Sequence, residues 1–396
     1  MISEKMKQYA KDSSVIREMF EAGKRLAAVH GAENVYDFSL GNPNIKPPAK
    51  IKEYLREVID SEEENLHGYM NNSGYEFVRK AVADSLNRRF DTDFDVENII
   101  MSNGAGGGLN VIFKTLLNPG DEVITFAPYF GEYRNYVSNF DGVLKVVAPN
   151  IPSFEPNLDE LEGMITSKTK CVLINSPNNP TGVVYGEKVI RDLAELLERK
   201  QKEFGQAIYL ISDEPYRELV YDGIEVPFPT KYYDNTLIGY SFSKSLSIPG
   251  ERIGYIVVPS EASDFDDMVS AMNIATRTLG FINAPALFQR VIAKCLDLKV
   301  DIDSYNANRE LLYRRLTEFG LECVKPEGAF YMFVQSPYED EVDFCQKAKE
   351  KNILLVPGRS FGCEGYVRIA YCVSHEMIER SLPAFKELMD DIRSQA

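Results

Sequence analysis

Ser241-Phe242-Ser243-Lys244-Ser245-Leu246-Ser247-Ile248-Pro249-Gly250-Glu251-Arg252 closes the apolar run Leu237–Ser241, and its reading decides the fold. A lysine just past a strand end, with hydroxyls before it and an arginine eight residues on, is placed to form a Schiff base beside an anion site. That combination suggests pyridoxal phosphate. The same spacing is met by a solvated surface lysine, so the surrounding elements must decide between the two.

Outward from this segment, short apolar runs recur at Asn98–Met101, Glu122–Phe126, Val143–Val147, Cys171–Asn175, Ile208–Ser212 and Ile253–Val258. Amphipathic stretches separate most of them. Val189–Phe204 sets Ile190, Leu193, Leu196 and Leu197 at helical spacing, and Tyr75–Arg89 has the same character. This alternation predicts an α/β domain whose mostly parallel seven-stranded sheet is covered by helices on both faces. Ligands of such sheets sit beyond the carboxyl ends of the strands, where the unusual residues of this chain collect. Later the pattern changes: Tyr305–Phe319 and Glu341–Lys351 read as helices, Tyr331–Val334, Ile353–Val356 and Tyr366–Ala370 as short strands, and His375–Arg393 as a closing helix. The expected division is a large cofactor-binding domain over 46–284 and a small α+β domain that joins an N-terminal arm, 1–45, to 285–396.

The 396 residues are 44% hydrophobic and 26% charged, enough to bury the cores of two domains. A net charge of -16 without any basic cluster repels a phosphate backbone, so neither nucleic acid nor an anionic membrane is an expected partner. No run approaches the ~18 apolar residues that span a bilayer, and the N-terminus lacks the apolar centre of a signal peptide. A cytoplasmic protein is expected. Cys171, Cys295, Cys323, Cys345, Cys363 and Cys372 form no CxxC pair, and His30, His67 and His375 lie far apart, so neither a disulfide frame nor a metal centre is expected.

Asn103-Gly104-Ala105-Gly106-Gly107-Gly108 follows the run Asn98–Met101 and precedes the helix-like Leu109–Leu117. Glycines there let backbone N–H groups approach an anion at a helix start. The segment fits neither GxGxxG, because Leu109 holds the last glycine position, nor GxxxxGK[ST], so it is no standard nucleotide fingerprint. Ser176-Pro177-Asn178-Asn179-Pro180-Thr181-Gly182 ends one strand and Asp213-Glu214-Pro215-Tyr216 ends another. Each alone reads as a turn or a helix cap. All of them at strand carboxyl ends, in this order before Lys244, read as one site.

With Ser39-Leu40-Gly41-Asn42-Pro43 and Tyr366-Val367-Arg368-Ile369-Ala370 added, the chain resembles the fold-type I pyridoxal phosphate enzymes of the class I/II aminotransferase family over nearly its full length. The resemblance implies pyridoxal 5′-phosphate as cofactor and a role for each motif. Lys244 holds the cofactor as a Schiff base and then serves as general base for the α-proton, which requires a pKa lowered by nearby Arg252 and by burial. Asp213 faces the pyridine nitrogen and keeps it protonated. Tyr216 and Asn179 hydrogen-bond the phenolic oxygen. Phe130 covers the ring, with Tyr129 the second candidate. The phosphate falls to the N–H groups of Ala105 and Gly106, the hydroxyls of Ser241 and Ser243 and the planar fork of Arg252. Tyr69 matches a tyrosine that reaches the phosphate of the neighbouring subunit, which implies a homodimer with shared sites. Arg368 pairs with the substrate α-carboxylate, with the Gly41 backbone close by.

The implied reaction is ping-pong transfer of the amino group of an L-amino acid to a 2-oxo acid. The same constellation also fits C–S β-elimination and aminocyclopropane carboxylate formation. Ser241-x-x-Lys244 matches the SxxK of acyl-serine enzymes, but no Lys-Thr-Gly or Ser-Asp-Asn follows in the required order. A non-catalytic cofactor-sensing domain would carry a basic helix-turn-helix stretch that the N-terminus lacks. For the substrate, Gly106 stands where some bacterial members place a lysine that grips a side-chain carboxylate. Others use an arginine shortly before the Asn-x-Pro that matches Asn283-Ala284-Pro285; Arg277 lies close, although Thr278 holds the register. A preference for apolar or aromatic amino acids is expected, with Arg277 the reservation.

Overall fold

The computed structural model describes residues 2–12 and 14–395. The Val, Ile and Leu runs form strands because a sheet covered on both faces has no solvent side for polar residues to occupy. β1 (Tyr36–Asp37) lies in the N-terminal arm. The large domain supplies β2 (Ile99–Ser102), β3 (Glu122–Phe126), β4 (Val143–Val147), β5 (Thr169–Asn175), β6 (Tyr209–Asp213), β7 (Thr236–Ser241) and β8 (Gly254–Val257). Among the described residues these seven make one sheet in the order β2-β8-β7-β6-β5-β3-β4. β8 runs antiparallel to both neighbours, and the remaining pairs are parallel. Every residue of β3, β6, β7 and β8 is buried, whereas β4 at the edge exposes Val143.

Helices cover both faces. Glu187–Phe204 turns its stripe of Ile190, Leu193, Leu196 and Leu197 against Val172, Ile174 and Leu210 of β5 and β6. Burying each leucine contributes on the order of 2 kcal/mol. On the other face, the helix Gly104–Leu116 packs Leu109, Ile112 and Phe113 against Ile100, Ile211 and Ile256. It starts inside the glycine run and not after it, because the first turn of a helix needs no intrahelical N–H partner.

The small domain pairs β9 (Tyr331–Gln335), β12 (Tyr366–Ala370) and β11 (Val356–Pro357) antiparallel, while β10 (Ile353–Leu354) pairs in parallel with β1. Its core joins Phe38 of the arm to Tyr305, Leu312, Phe330, Phe344 and Phe385. The Ala370 N–H donates to the Phe38 carbonyl at 2.9 Å, which brings Ser39-Leu40-Gly41 alongside Arg368. The helix Ala286–Ala293 packs Val291 and Ile292 against Ile51, Val78 and Val82. That core runs on to Cys295, and the small-domain core begins at Val300. Among the described residues, no helix is long and apolar enough to cross a membrane, and no group of three or more His, Cys, Asp and Glu could hold a metal ion.

Candidate active site

Three parallel strands end side by side at the site. Asn175 at the end of β5 is in register with Asp213 at the end of β6, and Asp213 with Gly239 of β7. β7 ends at Ser241, whose hydroxyl caps the four-residue helix Phe242–Ser245 by accepting from the Ser243 N–H. That cap lifts Lys244 off the sheet into a cavity of about 330 Å³. Ala105, Gly106, Phe130, Asn179, Asp213, Tyr216, Ser241, Ser243, Lys244, Arg252, Gly41 and Arg368 all line it. Tyr69 does not: it is 84% exposed on its own chain. Arg277 and Thr278 are exposed at the C-terminal end of the helix Phe265–Thr278.

Lys244 Nζ donates to the Gly41 carbonyl at 2.7 Å and sits 5.4 Å from the Phe330 ring centre. Its pKa is lowered to about 8, chiefly by burial; Arg368 and Arg252 push the same way, and Cys372 opposes them. Burial therefore outweighs Arg252, which the sequence motif put first. An ammonium enclosed with two guanidiniums loses more from missing water than from like charge.

Asp213 accepts from the Tyr133 hydroxyl at 2.6 Å through Oδ2, while its buried Oδ1 has no partner among the described residues. Burial raises its pKa to about 7 against the Tyr133 hydrogen bond. A buried carboxylate oxygen without a donor is costly, and a protonated ring nitrogen would satisfy it. Arg368, 5% exposed, donates to the Ser39 carbonyl at 2.6 Å and to Asn179 Oδ1 at 3.1 Å, and its Nε is unpartnered. Its guanidinium is sandwiched between Tyr331 and Phe361, 4.6 and 4.8 Å from their ring centres. Asn175 Oδ1 holds Asn179 in place through its N–H at 2.8 Å.

At the other end, Ala105 and Gly106 lie in the first turn of Gly104–Leu116, where free N–H groups and the helix dipole favour an anion. Gly104 has a φ of +71°, and a Cβ there would stand 2.9 Å from the Arg252 guanidinium, so glycine permits both the turn and the approach of the arginine. The Ser241 and Ser243 hydroxyls share a hydrogen bond of 2.7 Å beside it. Phe130 lines the cavity and packs edge-to-face on Tyr133, with ring centres 5.6 Å apart. Tyr129 is buried away from it and accepts from Arg134 at 2.7 Å.

The structure also brings in residues that the motifs did not name. Tyr133 orients Asp213, Tyr136 walls the cavity beside Gly106, and the Tyr331 hydroxyl lies 2.9 Å from that of Tyr216. One signal was available: Tyr133 and Tyr136 follow Phe130 at three-residue steps, the spacing of one helix face.

The model of the aminotransferase class I and II family matches residues 32–385. The chain belongs to that family. An aminotransferase from Eubacterium rectale has a solved structure that is 48% identical, with a TM-score of 0.96 and 99% of each chain covered. The aspartate aminotransferase of Thermus thermophilus with maleate is 27% identical, with a TM-score of 0.85 over 95% of this chain and 96% of that one. By sequence, the aspartate aminotransferase of Thermotoga maritima is 30% identical over 371 residues, 93% of this chain and 94% of the relative. The chain is thus an aminotransferase, and the cofactor of its family is pyridoxal 5′-phosphate. The aminotransferase cavity fits that group: an unpartnered Asp213 oxygen for a ring N–H, a helix start with Arg252 for a phosphate, and the Lys244 amine for an aldehyde.

Proposed function

We propose that this aminotransferase moves the amino group of an L-amino acid with an apolar or aromatic side chain to a 2-oxo acid, and that it works as a cytoplasmic homodimer. When bound, the cofactor supplies an electron sink for the charge left as the α-proton departs. The chain does the rest. Arg368 holds the α-carboxylate and turns the α-proton toward Lys244, whose lowered pKa suits it to take that proton at neutral pH. Asp213 holds a proton on the ring nitrogen, and Tyr216 and Asn179 donate to the phenolic oxygen. The donor departs as an oxo acid before the acceptor enters.

The observation that carries the substrate reading is where the cations lie. Among the residues lining the cavity, only Lys244, Arg252 and Arg368 are cationic. Arg252 lies at the anion end and Lys244 serves the proton, which leaves Arg368 for one carboxylate. Gly106 lines the cavity without a side chain, so that position offers no cation to a second carboxylate. An acidic donor is the second reading, favoured by the names of the Thermotoga and Thermus relatives and requiring Arg277 of a second copy. The dimer reading rests on the family resemblance, in which a tyrosine at the place of Tyr69 serves the neighbouring subunit; Tyr69 is exposed on its own chain and does not line its own cavity. Six free cysteines suit a reducing compartment. The test is a half-reaction screen in which the cofactor-loaded enzyme is mixed with each amino acid. Phenylalanine or leucine should convert the cofactor spectrum fastest. Tenfold faster conversion by aspartate, lost in Arg277→Ala, would establish the acidic reading instead.

A further inference from the structure

We propose that the Tyr331 hydroxyl is a positioning group that couples the guanidinium of Arg368 to the Tyr216 hydroxyl, and through it to the phenolic oxygen of the bound cofactor. The inference rests on the cofactor reading above and adds a residue and a direction of signalling to it.

Strand pairing creates the contact. Tyr331 faces Ala370 across the β9–β12 ladder, and Arg368, two residues along, emerges on the same face as its diagonal neighbour. The Arg368 guanidinium therefore lies 4.6 Å from the centre of the Tyr331 ring. Among the described residues the Tyr331 hydroxyl has one hydrogen-bond partner, the Tyr216 hydroxyl at 2.9 Å. Gly41 makes room for it, since a Cβ there would stand 1.9 Å from the hydroxyl oxygen.

A phenol beside a cation gives up its proton more readily. Burial pushes Tyr331 up to about 12 and Tyr216 well above its ordinary value, and Arg368 pulls both of them down. Either hydroxyl of the pair can donate; with the Tyr216 proton given to the cofactor oxygen, Tyr331 is left as the donor to Tyr216. The other charged or titratable groups facing the pair are Cys372 and Tyr305 beside Tyr331, and Asp213 with its partner Tyr133 beside Tyr216; Lys244 lies past Cys372. None of them donates a hydrogen bond to either hydroxyl in the chain.

The consequence is directional. When a substrate carboxylate pairs with Arg368, the cation over Tyr331 is neutralised and Tyr331 becomes a poorer donor to Tyr216. Tyr216 then donates less firmly to the phenolic oxygen. More negative charge stays on that oxygen to hold the proton of the Lys244 linkage, so the linkage titrates at higher pH. Substrate arrival is converted into proton affinity at the reacting nitrogen without any movement of the backbone.

The experiment is a pH titration of the visible cofactor absorbance of the holoenzyme, with and without saturating propionate, a carboxylate that has no amine to react. Tyr331→Phe keeps the ring on Arg368 and removes only the hydroxyl. Its midpoint should rise by about half a pH unit in the free enzyme, the size expected for one lost hydrogen bond. The propionate-induced rise seen in the wild type should shrink in the variant. In a Tyr216→Phe background, Tyr331→Phe should add no further shift, because the relay is already cut. An unchanged midpoint with a full propionate response in Tyr331→Phe, or an equal shift in the Tyr216→Phe background, overturns the proposal alone. A wild-type protein with no titrating visible band overturns the cofactor reading and the proposal with it.

Discussion

Arg368→Lys separates carboxylate recognition from every other task of the site. The guanidinium is buried, fixed by the Ser39 carbonyl at 2.6 Å and by Asn179 at 3.1 Å, and stacked between two rings. Lysine keeps the charge but presents it as a point, so one of two parallel hydrogen bonds to the carboxylate is lost. A hydrogen bond to a charged group is worth about 1.5–3 kcal/mol, and the weakened stacking adds about 0.5–1 kcal/mol. The sum, about 2–4 kcal/mol, corresponds to a fall in kcat/KM of roughly thirty- to a thousand-fold. The assay compares kcat/KM for the best amino acid with the half-reaction rate of the corresponding amine, which has no carboxylate. The amine should react at the same slow rate in both proteins, and the cofactor should bind both equally. A drop below about fivefold for the amino acid, or an equal drop for the amine, would refute the assignment of Arg368.

Two further outcomes follow from the titration of the site. Asp213→Ala removes the acceptor that keeps the ring nitrogen protonated, and single-turnover rates of the amino acid half-reaction should fall by about 10²–10³-fold, while Lys244 still captures the cofactor. In the cofactor-free protein Lys244 loses its proton near pH 8 instead of at its ordinary 10.5. Cofactor attachment needs the neutral amine, so its rate, followed by absorbance, should rise with pH and level off above about 8. The sign for stability agrees. Between those two values the unfolded chain binds the proton and the folded one does not, so rising pH stabilises the cofactor-free fold across that window, as a denaturant series at several pH values would show.

How much of this was legible in the chain depends on the distance over which each signal acts. The strands of the large sheet were readable because each is a continuous apolar run closed by a turn; the observed bounds differ by at most two residues, and those of β3 and β4 not at all. Asp213, Asn179 and Lys244 were readable because the site gathers at strand ends, which a linear pattern marks. Tyr331 and Tyr133 were not, because an aromatic residue in an apolar run or a short helix reads as core. Only the β9–β12 pairing puts Tyr331 against Arg368, and only the fold puts Tyr133 under Asp213. The β1–β10 pair is two residues long on each side and joins positions more than three hundred apart, so no periodicity announces it. The helix Ala286–Ala293 packs its apolar face on the helices Ala49–Ile59 and Glu76–Phe90, partners roughly two hundred residues earlier that no local pattern names. Burial, which governs the pKa of Lys244, is likewise a property of the whole fold.

Amino-group transfer and side-chain elimination in this cavity differ in whether an acceptor is needed for turnover. The most direct measurement counts the oxo acid released when the cofactor-loaded enzyme meets a saturating amino acid, cystathionine included, with no 2-oxo acid added. One oxo acid per subunit is expected, then arrest, with turnover resuming when a 2-oxo acid is supplied. Continued release of pyruvate from cystathionine without any acceptor would contradict amino-group transfer.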